Sequence, residues 1–137
     1  AVAQMASGDW GIKSKKPEED KKDSSTTYAD VRKFEDRERA GIVNNIPGAI
    51  YKVQLDNTHP LAFGYPDFYF TLKQNDNIYE FMKDGWNIGI LKKDNQVAGF
   101  VGSRVKEKIK DGTVIAVQSM GNGSIVYFAD DPIIRSF

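Results

Sequence analysis

The only histidine of the chain, His59, lies three residues after Asp56 and directly before Pro60. At that spacing a carboxylate can fix an imidazole's tautomer and raise its basicity. This is half of a catalytic or metal arrangement. A zinc site needs three or four ligands, and there is no second histidine and no cysteine to supply them. The spacing favours a structural histidine whose ring bonds the backbone of a turn. A second pair, Asp130 and Asp131, follows an apolar run and precedes Pro132. There one carboxylate can cap a helix and the other can hold Arg135 in bidentate fashion. As general acid and base, or around a hard cation, the two would need a pocket. Phe63, Tyr65, Phe68, Tyr69 and Phe70 are crowded into eight residues. They offer a carbohydrate or peptide platform, with Phe63, Tyr65 and Arg135 as binding candidates, although alternating aromatics on a strand more often fill a core. Gly121-x-Gly123 and Gly99-x-x-Gly102 lack the helix start and the third glycine or Gly-Lys-Ser/Thr ending of a phosphate loop, and read as turn and strand glycines.

The elements that must hold these residues follow from periodicity. Ala49, Tyr51, Val53 and Leu55 alternate with Ile50, Lys52, Gln54 and Asp56, so Ala49–Leu55 reads as a half-buried strand that Asp56, Asn57, Thr58 and Pro60 end in a turn. Further strands are predicted at Phe68–Lys73, Trp86–Lys92, Gln96–Gly102, Thr113–Met120 and Ser124–Ala129. Lys93-Asp94-Asn95 and Gly121-Asn122-Gly123 read as the loops of two antiparallel hairpins. Val105 and Ile109, four apart, predict a two-turn helix over Ser103–Lys110. The run Ser124–Ala129 is apolar on both faces, which predicts a central strand covered on both sides. Upstream, Thr27 with Asp30 forms a capping box for a helix over Tyr28–Ala40, with Tyr28, Val31 and Phe34 as its stripe and Gly41 as its end.

The chain divides into a truncated helix and connector at residues 1–12, a flexible charged loop at 13–27 and one domain at 28–137. Ala1–Ala6 reads as helix without a cap. Starting inside one helix and ending inside another, the chain is expected to fold poorly alone. Nineteen basic residues balance nineteen acidic ones, so charge points to neither nucleic acid nor an anionic membrane. No apolar run reaches the length of a membrane span, and no signal-peptide pattern opens the chain. Without cysteine there is no thiol nucleophile or disulfide.

Taken together, IPGAIYKVQLDNTHPLAFGY, GWNIGILKK, VAGFVGS and MGNGSIVYFADDPIIRSF resemble the C-terminal glutamine amidotransferase-like domain of large bacterial zinc carboxypeptidase-like (M14-type metallopeptidase) proteins, over about Tyr28–Phe137. The resemblance implies an α/β fold. It would be the C-terminal half of a three-layer, flavodoxin-like class I amidotransferase-like domain, with antiparallel hairpins added to a mixed sheet. The nucleophile elbow and first strands would lie upstream of Ala1. Active class I amidotransferases carry a cysteine at that elbow and a His-Pro-Glu after the penultimate strand, where this chain reads Asp130-Asp131-Pro132. The resemblance therefore implies an auxiliary, non-catalytic domain acting in packing, substrate access or ligand binding, with no cofactor of its own and zinc only in the parent's peptidase domain. Its partners would be the upstream half of the domain and the peptidase domain, or a second copy. The compartment stays open, a secreted or periplasmic parent being implied. The alternative is a degenerate hydrolase or amidotransferase site, completed by upstream residues around His59 and Asp130.

Overall fold

The computed structural model describes residues 12–15 and 33–130. Six strands, β1 (Gly48–Leu55), β2 (Phe68–Lys73), β3 (Trp86–Leu91), β4 (Gln96–Phe100), β5 (Gly112–Met120) and β6 (Gly123–Phe128), form one curled sheet in which every pairing is antiparallel. Among the described residues two α-helices, α1 (Phe34–Ile42) and α2 (Ser103–Ile109), accompany the sheet in a mixed α/β domain. The order along the sheet is β2-β1-β3-β5-β6, with β4 also on β1. Alternation produces β1 as expected: Ala49, Tyr51, Val53 and Leu55 are buried, and Ile50, Lys52 and Gln54 are exposed.

Two expectations about connectivity are corrected. Lys93-Asp94-Asn95 does not close a hairpin, because β3 and β4 pair with β1 rather than with each other. Leu55 and Gln54 face Gly89 and Ile90, Lys52 N–H donates to Asn95 O at 2.8 Å, and Tyr51 faces Gln96. Between these registers six steps of chain, Ile90 to Gln96, span three steps of β1, Gln54 to Tyr51. β3 and β4 are thus one strand path with a looped-out insertion. Farther along it, Gly99 has φ +90, and a Cβ there would lie 2.4 Å from Gly48 O, so only glycine fits against β1. The second correction concerns the apolar run SIVYFA. Among the described residues β6 ends the sheet instead of lying at its centre. Tyr127 and Ala129 enter the core while Val126 and Phe128 stay partly exposed, so one face is covered. The other hairpin forms as expected, with Gly121 at φ 58 in the β5–β6 turn.

Val53, Ile78, Leu91, Val114 and Ile109 lie at the centre of the main core, which Val105 and Ile109 of α2 close. A smaller cluster of Leu55, Ala62, Ile88 and Val117 meets it through Tyr69 and Ile115. α1 runs through Gly41 to Ile42 rather than ending before it, and Phe34 is 85% exposed, so that side chain is not the packing stripe expected of it. The capping box at Thr27 and Asp30, with Tyr28 and Val31, lies outside the described residues, as does Ala1–Ala6.

Lys13–Lys15, expected at the start of the flexible loop, are instead bonded. Lys15 N–H donates to Ile78 O at 2.9 Å and Glu80 N–H to Lys13 O at 2.9 Å; Tyr79 bridges in turn to Thr113 of β5. Ile12, 2% exposed, is the apolar anchor that the charged run after it lacks. No helix of the described residues is long and apolar enough to cross a membrane.

Candidate functional site

The two clusters expected to do chemistry are built into different parts of the sheet. After β1, Asp56 and Asn57 turn the chain into a short 3-10 helix, Pro60–Ala62, for which His59 is the N-cap. His59 Nδ1 accepts the Leu61 N–H at 3.2 Å, so the neutral ring carries its proton on Nε2. The ring also lies against Trp86, centroids 6.4 Å apart and tilted by 50°. Asp56 does not orient the imidazole. Its Oδ1 accepts both the hydroxyl and the backbone N–H of Thr58, and these bonds hold its carboxyl below the usual value. His59 is thus a turn histidine whose Nδ1 is bonded to backbone, and Asp56 Oδ1 is bonded within the same turn.

Asp130 has a different environment. Alternation on β2 turns Tyr69, Thr71 and Lys73 toward the interior, opposite Val53, Tyr51 and Ala49 of β1. Lys73 Nζ lies 2.8 Å from Asp130 Oδ1 and 2.7 Å from Asn77 O, and Tyr69 OH donates to Asp130 Oδ2 at 3.3 Å. The side chains of Lys73 and Asp130 are 1% and 7% exposed. Burial, and then the charge of Asp130, push the Tyr69 hydroxyl far above its ordinary range. The buried pair needs its hydrogen bonds to offset desolvation, and it has them on both sides. Because β2 and β6 are the end strands of the path, this network ties together the margins of the curled sheet without a ladder between them.

Sequence reasoning did not find Lys73 or Tyr69 as Asp130's partners. Asp131 and Arg135 lie outside the described residues. Phe63 and Tyr65 are 88% and 62% exposed beside the 3-10 helix, and Trp86 is 62% exposed. Of the aromatic run, only Tyr69 is packed against the core clusters, while Phe70 is 49% exposed, so the expectation of a core-filling run is corrected. Among the described residues no three or more His, Asp or Glu side chains converge as metal ligands. The partners of His59 are Leu61 and Trp86, and those of Asp130 are Lys73 and Tyr69; the two sets share no residue.

The fold and these two clusters define a mixed α/β domain with a curled antiparallel sheet. No family model matches the chain, and no curated protein or solved structure shows significant similarity to it.

Proposed function

We propose that the chain is an auxiliary, non-catalytic domain of a zinc carboxypeptidase-like protein, serving packing, substrate access or ligand binding. The observation that carries the non-catalytic reading is Asp130. Asp130, the first residue of the Asp-Asp-Pro that the resemblance sets in place of the amidotransferase His-Pro-Glu, is buried against Lys73 and hydrogen-bonded by Tyr69. A general base needs access to its substrate, and this carboxylate is committed to internal partners. The exposed aromatics of the β1–β2 loop, Phe63 and Tyr65, with Trp86 nearby through His59, suit contact with a substrate or a neighbouring domain. In this reading the antiparallel sheet is the later half of a three-layer, flavodoxin-like unit whose parallel strands lie upstream. Zinc belongs to the peptidase domain.

Two measurements test it. The open reading frame upstream of Ala1 should encode a zinc peptidase domain. In that parent protein, Phe63→Ser with Tyr65→Ser should raise KM for peptides while kcat is retained, and His59→Ala should leave kcat unchanged. Loss of turnover in a folded His59→Ala or Asp130→Asn protein would favour the degenerate hydrolase instead.

A further inference from the structure

β2 carries its residues the wrong way round for a strand at the margin of a sheet. Its more apolar alternate set, Phe68, Phe70 and Leu72, lies on the outer face, whereas Tyr69, Thr71 and Lys73 face inward. Phe70 and Leu72 are 49% and 39% exposed, and next to them on the same face are Ile50 of β1, opposite Leu72, and Phe100 of β4, opposite Gly48. Margin strands are ordinarily protected by charge, proline or a bulge. The stretch Phe68–Leu72 contains no charge and no proline, and its register with β1 is unbroken.

The hydrogen-bond phase of β2 decides what can pair with it. Leu55 N–H donates to Asp67 O at 2.8 Å, so Asp67 and, by alternation, Tyr69, Thr71 and Lys73 direct their backbone groups at β1. The N–H and C=O groups of Phe68, Phe70 and Leu72 therefore point to the far edge, where no strand of the described residues pairs.

We propose that this edge pairs with the same edge of a second copy of the chain, antiparallel about a two-fold axis through Phe70. In that register Phe70 faces its own copy and Phe68 faces Leu72 of the other chain. All three are hydrogen-bonding positions, so every outward N–H finds a carbonyl, and no like charges are opposed. The stretch is its own complement, which favours a second copy over an unrelated peptide. A ladder of five or six residues is only about 20 Å long. It falls short of the roughly 800 Å² a side of a stable dimer, so the association is weak and reversible. This inference stands on β2 alone and does not depend on the auxiliary-domain reading.

Sedimentation equilibrium of the 137-residue chain from about 1 µM to about 500 µM, a range suited to weak contacts, tests it. The weight-average mass should climb from that of the 15.4 kDa monomer toward twice that value and no further. Amide exchange at Phe68, Phe70 and Leu72 should slow several-fold as concentration rises, while that at Tyr69 and Thr71 should not change. Phe70→Lys, which opposes two lysines on the axis, should abolish both effects. So should Phe70→Pro, which removes an N–H that β1 does not use. The control Phe63→Lys should alter neither. A mass that stays monomeric throughout overturns the proposal. So do assemblies larger than two, equal weakening by Phe63→Lys, or concentration-independent protection of Phe68, Phe70 and Leu72, which would mean that the chain covers this edge itself.

Discussion

Asn87 does for Met82 what a neighbouring strand would do: its Oδ1 accepts the Met82 N–H at 2.8 Å and its Nδ2 donates to Met82 O at 2.9 Å. The same Oδ1 also accepts the Thr113 hydroxyl at 2.8 Å, so one amide on β3 joins the incoming loop to β5. Met82 and Thr113 are both buried, and water cannot readily replace these bonds.

Asn87→Ala should therefore cost about 2–4 kcal/mol, the penalty for leaving more than one buried group without a partner. Asn87→Asp keeps the acceptor and loses the donor, so it should fall between alanine and the native chain. Denaturant melts rank the three, and an alanine variant within experimental error of native would mean that the loop re-pairs elsewhere.

For the buried pair, Lys73→Ala or Asp130→Ala should each cost about 3–5 kcal/mol, because each leaves an uncompensated internal charge. The double replacement Lys73→Met with Asp130→Leu should cost far less than the sum of the single changes, since no charge is then stranded. Additive losses in the double-mutant cycle would argue that the two charges do not interact.

The Asp56 carboxyl is held low by Thr58, so its stabilisation is fully present above the ordinary carboxylate value of 3.8 and is lost as pH falls through the lower folded value. In Thr58→Val, which removes the side-chain bond, carbon-detected titration should find the Asp56 midpoint moved upward. An unchanged midpoint would remove Thr58 as the cause.

Burial raises the hydroxyls of Tyr51, Tyr69, Tyr79 and Tyr127. Their neutral forms are favoured by the fold, so this contribution is intact below the ordinary tyrosine value of 10.0 and is lost as pH climbs above it. The later part of tyrosinate absorbance should then appear together with the loss of circular dichroism on alkaline titration. Complete ionisation of all tyrosines with the fold intact would contradict this.

Much of this architecture could be read from period and turn chemistry. Phe68–Lys73 is a strand with the expected bounds, α2 occupies its expected site to within a residue, and Gly121-Asn122-Gly123 makes its hairpin. Lys93-Asp94-Asn95 failed because local turn signals report a change of direction, not which strand comes next. Here both flanking segments are held by β1, more than thirty residues upstream. The Asp130 site was hidden for a related reason. In FYFTLK the apolar alternate set is Phe68, Phe70 and Leu72, so hydrophobicity would send Lys73 to solvent. Only the register with β1 turns Lys73 inward beside Tyr69. The partner of Asp130 thus depends on tertiary pairing that no local window contains.

The distance along the chain between Lys73 and Asp130, 57 residues, also sets an order of events during synthesis. At about 5–20 residues per second, Lys73 is added to the chain roughly 3–11 s before its counter-ion. Through that interval β1 and β2 can form their hairpin, but Lys73 has Asn77 O and no counter-charge, and a cation in that state resists burial, which favours a wet inner face on β2. The sheet can therefore draw its margins together only when translation has passed residue 130, and a ribosome paused before that point would present a folded hairpin on an open, hydrated sheet.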